Sequence, residues 1–134
     1  SHGIANFTVP LCATIHLCGS TITLVTCATA VMFLSEHLAI PGYGTMLPFI
    51  MMLGVIMIAA PGAPGGGVMS ALGLLTSMLG FGEASIALMI ALYLAQDSFG
   101  TACNVTGDGA LTLILTGYCE KHGLEEQKNI GVDL

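Results

Sequence analysis

The chain has 134 residues, of which 54% are hydrophobic and 7% are charged, and its mean hydropathy is +0.90. Soluble domains carry roughly 25% charged residues, so this composition excludes an ordinary soluble domain and predicts a membrane protein or a part of one. The net charge of −6, with two basic residues in the whole chain, leaves nucleic acid binding almost no electrostatic basis.

The first apolar segment covers residues 7–34, which is longer than the roughly 20 residues that a membrane-spanning helix needs. Its middle, 14–20, is poor in helix formers, and Pro10 lies just upstream. Two interpretations are open: a helix broken in the middle, or one tilted helix with His16 hydrogen bonded to a neighbour. A break would mark a binding site, because irregular backbone inside a membrane is tolerated only against protein or a water-filled cavity.

The second apolar segment, residues 45–80, is divided by a tip at 61–67 that contains two prolines and four glycines. Such a tip cannot continue a helix. Two half-length apolar arms around it predict a re-entrant hairpin that enters and leaves the membrane on one side. Two full spans joined by a loop are the alternative, but the second arm is short for that.

The third apolar segment, residues 84–119, is too long for one straight span, and three glycines near its middle predict a second broken helix. The tail at 120–134 is charged and holds both lysines, Lys121 and Lys128. Positive charge favours the cytoplasmic side, so the sequence predicts a cytoplasmic C-terminus.

A polar stripe runs through the third segment. Its four members are spaced i, i+4, i+7 and i+11, which places them on one helix face: Asp97, Thr101, Asn104 and Asp108. Acids at such depth are costly and usually face an ion path or a substrate site. The two carboxylates would lie about 16 Å apart along a continuous helix, so they predict separate sites: one for a cationic substrate group and one for a metal ion. The alternative is that packed polar neighbours merely satisfy the acids.

Features of an enzyme are missing from the pattern. Ser98 and His16 offer a nucleophile and a base, but the sequence has no nucleophile elbow, no zinc-spaced histidines and no phosphate-binding loop. The sequence therefore predicts a protein that is not an enzyme.

Three ordered blocks, 10–20, 61–67 and 97–108, resemble the dicarboxylate/amino acid:cation symporters, which include the glutamate transporters. The resemblance covers nearly the whole chain. It implies an all-α polytopic membrane protein fragment: residues 1–134 form the C-terminal part of a transport domain, with two discontinuous helices, one re-entrant hairpin and a cytoplasmic tail.

The resemblance also implies roles for the polar stripe and the hairpin tip. Asp97 resembles the carboxylate that binds the substrate amino group, and Thr101 and Asn104 resemble substrate contacts. The gate that closes over the substrate is implied to include Ala63, Pro64 and Gly65.

Sodium is the cation that the resemblance implies, bound at two sets of ligands. Asp108 resembles a ligand of one sodium ion, together with Asn104 and the carbonyl of Cys12. Thr14 and hairpin backbone at 58–60, including Ile58 and Ala60, resemble a second site.

Departures from the family pattern change the expected substrate and ions. Members that carry acidic substrates have an arginine where this chain has Gly100, and an aspartate where it has Tyr93; we therefore expect a small neutral amino acid, as in the bacterial serine/threonine branch. His16 stands at an asparagine position of the third sodium site, and Cys18 at an aspartate position. Because histidine titrates near neutral pH, His16 offers proton coupling as an alternative.

The sequence thus predicts a multi-pass inner-membrane or plasma-membrane protein that imports a neutral amino acid with sodium by an elevator-type mechanism. The chain lacks an initiator Met, so we expect scaffold helices encoded upstream of Ser1, and the resemblance implies a homotrimer within the lipid bilayer. The other hypotheses are an accessory or structural membrane subunit, such as a split or decayed transporter half, and proton-coupled or dicarboxylate symport.

Overall fold

This computed structural model describes residues 2–124. Within them the chain forms five α-helices. They are α1 (His2–Ile15), α2 (Cys18–Leu34), α3 (Tyr43–Ala59), α4 (Gly66–Leu79) and α5 (Glu83–Lys121). The predicted all-α class is confirmed for these residues. Two stretches, His2–Leu34 and Glu83–Lys121, are long and apolar enough to cross a membrane. Most of the tail at 120–134, including Lys128, lies outside the described residues.

The first apolar segment is two helices separated by His16 and Leu17. The last helical bond of α1 joins the His16 amide to the Cys12 carbonyl at 2.7 Å, and the next begins at the Leu17 carbonyl, which accepts from Thr21 at 2.9 Å. Leu17 has φ −109° and ψ 46°, outside the helical region. Pro10 lies inside α1, and the helix ends at Ile15, five residues beyond the proline.

The second segment is a helical hairpin in which α3 packs against α4. The expected tip at 61–67 is two residues too long at its C-terminal side, because Gly66 and Gly67 already belong to α4. Gly65, at φ 75°, turns the chain in a left-handed conformation that glycine adopts readily. The Gly66 amide then donates to the Ala63 carbonyl at 2.8 Å, which closes the turn.

The prediction of a broken third segment is wrong, because α5 is continuous over 39 residues. A glycine costs a helix about 1 kcal/mol relative to alanine but does not end it. None of the glycines within α5 has a positive φ. Two of them instead allow a close approach to the first segment: Gly100 lies against Ser20 and Thr23, and Gly107 lies against His16.

The apolar core lies where α2 meets the hairpin and α5. Its fully buried side chains include Leu24, Val31, Phe49, Leu53, Val68, Leu75, Met89 and Tyr93. Large apolar side chains also cover the outside, where Phe33 is 78% exposed and Leu113 is 74% exposed. An outer surface of this kind suits lipid or further helices rather than water.

Candidate functional site at the helix break

A cavity of about 280 Å³ lies where the break between α1 and α2, the hairpin turn and α5 meet. The three sequence blocks, 10–20, 61–67 and 97–108, all contribute residues to its wall. The lining residues are Ala13, Leu17, Ser20, Pro61, Gly62, Ala63, Pro64, Gly67, Tyr93, Asp97, Thr101, Asn104, Val105 and Asp108. The structure therefore brings together segments that are up to 95 residues apart in the chain, since the wall runs from Ala13 to Asp108.

The α5 stripe supplies the polar wall, because all four of its predicted members line the cavity. Asn104 and Asp108 are buried, whereas Asp97 is half-buried and Thr101 is exposed. Within residues 2–124, no hydrogen-bond donor contacts the Asp97 carboxylate, so it can accept bonds from a bound molecule. Asp97 is thus the carboxylate of the cavity wall that has no hydrogen-bond partner among the described residues.

Asn104 joins α5 to the start of α2. Its Oδ1 accepts a hydrogen bond from the Gly19 amide at 2.8 Å and a weaker one from the Ser20 amide at 3.4 Å. Its Nδ2 donates to Ser20 Oγ at 2.9 Å. The first amides of a helix have no partner within the helix. The Asn104 side chain binds two of them and so caps α2 in place of a local capping residue.

His16 pairs with Asp108 across the break. The His16 Nδ1 atom lies 2.8 Å from Asp108 Oδ1, and the Asp108 side chain is 8% exposed. A charge-assisted bond of this kind offsets part of the cost of burying a carboxylate. Gly107 makes the space: a Cβ there would lie 2.5 Å from His16 Cε1.

The hairpin turn forms part of the cavity wall, and two of its three predicted gate residues, Ala63 and Pro64, are in that wall. Gly65 is buried behind them. Gly67, the second residue of α4, lies close to the Tyr93 hydroxyl, since a Cβ at Gly67 would lie 2.6 Å from that oxygen.

Gly100, the position at which the resemblance implies an arginine contact to acidic substrates, lies outside the cavity wall, buried against α2. A Cβ there would lie 3.2 Å from Thr23 Oγ1 and 3.4 Å from the Ser20 backbone. The cause is the close packing of α2 on α5. Gly100 therefore keeps the two helices together and presents no group to a ligand.

In the first set of expected sodium ligands, three of the oxygen atoms already accept hydrogen bonds. Sodium, a hard cation, needs free oxygen atoms. Asp108 Oδ1 is bound to a nitrogen of His16, and Asn104 Oδ1 accepts from two backbone amides. The Cys12 carbonyl already accepts from the His16 amide. Residues 2–124 also contain no group of three or more His, Cys, Asp or Glu side chains that could hold a metal.

The second expected set fits a hard cation better. Ile58 lies in the last turn of α3 and Ala60 just follows it, where helix carbonyls lack intrahelical partners and the helix dipole is negative. The nearby end of α1 is in contact with the turn, since a Cβ at Gly62 would lie 3.5 Å from the Ala13 carbonyl. Thr14 donates to the Leu11 carbonyl at 2.7 Å, which leaves its oxygen lone pairs free.

Two polar residues of the wall were not predicted as site residues: Ser20 and Tyr93. Ser20 ends the block that carries the helix break. Tyr93 precedes Asp97 by four residues, so it continues the α5 stripe by one turn. Extending the same periodicity toward the N-terminus would have found it. Both are buried, and Ser20 Oγ accepts a hydrogen bond from Asn104 Nδ2.

The charged side chains that line the cavity are acidic. Asp97 and Asp108 line it, while Lys121, the one Lys or Arg within residues 2–124, lies at the end of α5 outside the wall. The cavity can therefore receive a cationic group.

A family model described as the sodium:dicarboxylate symporter family matches residues 1–118. Searches of curated proteins and of solved structures found no match. The family match covers the helix break, the hairpin and the α5 stripe, which together build the cavity, and it indicates a transporter. By this match over most of its length, the chain belongs to the sodium:dicarboxylate symporter family.

Proposed function

We propose that this chain is the substrate-binding part of a transporter that carries a small neutral amino acid together with a cation. The observation that supports this most directly is Asp97, a carboxylate with no described donor, in an acidic cavity without a Lys or Arg in its wall. A carboxylate in this setting suits an ammonium group.

The substrate carboxylate has a complementary place in the same cavity. The second arm of the hairpin, α4, begins at Gly66, and Gly67 lines the cavity. The amides of a first helical turn and the positive end of its dipole favour an anion. An amino acid would then lie with its ammonium group toward Asp97 and its carboxylate toward the start of α4.

A second substrate carboxylate would have no basic partner among the described residues. Position 100, which carries an arginine in relatives with acidic substrates, is a glycine packed on α2, and Tyr93 fills the space beside Gly67. Both features support a neutral substrate such as serine, threonine or alanine over a dicarboxylate. The family description alone leaves this choice open.

The hairpin is proposed to be re-entrant and to act as the gate. Its helices have 17 and 14 residues, or about 26 and 21 Å at 1.5 Å per residue, and both are shorter than the roughly 30 Å hydrocarbon core. Closure of residues 60–65 over a bound amino acid would precede elevator movement of the loaded domain. If substrate and cation bind beneath the same gate, each raises the affinity for the other, typically by about 1–3 kcal/mol.

Sodium is the proposed cation, on the strength of the family match and of the oxygen groups of Thr14 and the end of α3. Bound there, it would supply positive charge beneath the gate. We further propose that this domain works in a membrane with scaffold helices encoded upstream, as a homotrimer, and with its C-terminus in the cytoplasm. Lys121 near that end is consistent with this orientation.

Uptake of labelled serine into proteoliposomes that contain the complete gene product tests the proposal. An imposed sodium gradient should drive uptake, excess unlabelled aspartate should not compete, and Asp97→Ala should reduce uptake at least tenfold. Ser98→Ala is the matched control, since Ser98 is the exposed neighbour of Asp97 and lies outside the cavity wall. Uptake of aspartate in place of serine would contradict the proposed substrate, and a proton gradient as the only driving force would contradict the proposed cation.

A further inference from the structure

His16 is the hydrogen-bond partner of the buried Asp108 carboxylate. Its imidazole nitrogen is 2.8 Å from the carboxylate, and this N–H group is the one described donor to that side chain. A carboxylate that is only 8% exposed needs a cation or a donor to remain ionised, and here the donor comes from the chain itself. A neutral imidazole with hydrogen on Nδ1 is sufficient.

The surroundings are shaped to hold the ring in this position. Gly107 has its backbone against the imidazole, where any side chain would collide with His16 Cε1. The His16 backbone is fixed as well, because its amide donates to the Cys12 carbonyl at 2.7 Å. The pairing therefore depends on two residues of α5: Asp108 accepts the hydrogen bond, and Gly107 leaves room for the ring.

Asn104 cannot compensate for the missing oxygen ligands. A side-chain amide oxygen has two lone pairs, and the amides of Gly19 and Ser20 use both. A cation coordinated by Asp108 Oδ1 or by Asn104 Oδ1 would therefore have to displace the imidazole or the cap of α2.

We infer that the His16 side chain replaces a bound cation at Asp108, so that this carboxylate takes no sodium ion in the working transporter. The inference builds on the proposed cation-coupled transport and fixes which oxygen groups remain for sodium: those of Thr14 and the end of α3. The chain would then bind one sodium ion fewer than an otherwise identical chain with asparagine at position 16.

Counting bound sodium tests this directly. The purified complete gene product is equilibrated with ²²Na⁺, and the number of ions per chain is compared for the wild type, His16→Asn, His37→Asn and Asp108→Asn. Asparagine supplies an oxygen and releases Asp108 Oδ1, so His16→Asn should bind one additional ion. His37→Asn is the matched control, because His37 is exposed in the connection between α2 and α3.

Asp108→Asn should bind as many ions as the wild type. The loss of one ion in this variant, or an unchanged count in His16→Asn, would overturn the inference. If His16→Asn does not fold, the count for Asp108→Asn decides alone. The ion count is separate from transport: absence of neutral amino acid uptake by the wild type would refute the proposed function, whereas the sodium count would still decide the role of His16.

Discussion

The side-chain oxygen of Asn104, on α5, lies 2.8 Å from the amide nitrogen of Gly19, the second residue of α2. No local side chain caps α2, since its N-cap residue is Leu17. The helix therefore begins in the protein interior with a cap from a residue 85 positions away. Two contacts from α5 therefore hold the break: this hydrogen bond and the pair of Asp108 with His16.

Replacing Asn104 with alanine should lower stability. The variant leaves the Gly19 amide without a partner and removes the bond to Ser20 Oγ, so we expect a loss of about 1–3 kcal/mol. The thermal unfolding midpoint of the purified protein in detergent measures it. Thr106→Ala is the control, because the exposed Thr106 bonds only to the Ala102 carbonyl of its own helix. Equal midpoints for the two variants would contradict the capping role.

Two glycines of α5 should respond oppositely to alanine. Gly107→Ala places a methyl group 2.5 Å from His16 Cε1, so the imidazole must leave Asp108, and we expect a loss of more than about 1 kcal/mol. Gly109→Ala meets nothing within 4 Å and should stabilise α5 by up to about 1 kcal/mol.

The pair of variants is compared by thermal unfolding. Adding His16→Ala should relieve most of the loss caused by Gly107→Ala, because the collision partner is then absent. A loss that is the same with and without the imidazole would mean that Gly107 matters for another reason.

Sequence patterns predicted the helices and the polar stripe because both depend on periodicity within one segment. They did not predict that Asn104 caps α2, or that Asp108 receives a donor from His16, because these contacts join residues 85 and 92 positions apart. The first segment combines a feature of each interpretation: α1 ends before His16, and His16 is hydrogen bonded to Asp108. The predicted break in α5 was wrong because composition does not distinguish a glycine that bends a helix from one that allows close packing of a neighbour.

The left-handed turn of the hairpin depends on Gly65. At φ 75°, a residue with a Cβ costs about 1–2 kcal/mol, and a Cβ here would also lie 3.0 Å from Leu94 Cδ2. Gly65→Ala should therefore destabilise the turn and reduce serine uptake, while Gly65→Asn should retain more of both, since asparagine tolerates this conformation. Gly82→Ala is the control, because its Cβ meets nothing within 4 Å and Gly82 lies outside the cavity wall. A similar loss from all three would contradict a specific need for the left-handed turn.

Gly19 sets how closely α2 approaches α5. A Cβ at Gly19 would collide with the Gly100 carbonyl oxygen and would lie 2.5 Å from Cys103 Cβ. Neither atom is the free end of a flexible side chain, so Gly19→Ala must separate the helices, at a cost of about 1–3 kcal/mol. Gly117→Ala, which meets nothing within 4 Å, is the control.

The separation caused by Gly19→Ala should also weaken the hydrogen bond from the Gly19 amide to Asn104. The combined variant Gly19→Ala, Asn104→Ala should therefore lose less stability than the sum of its two single variants, because both act on the same contact. Unfolding measurements on the four proteins of this cycle give the coupling. Additive losses would mean that α2 keeps its position on α5 without the cap, and that the helix break is held by the His16 pair with Asp108 instead.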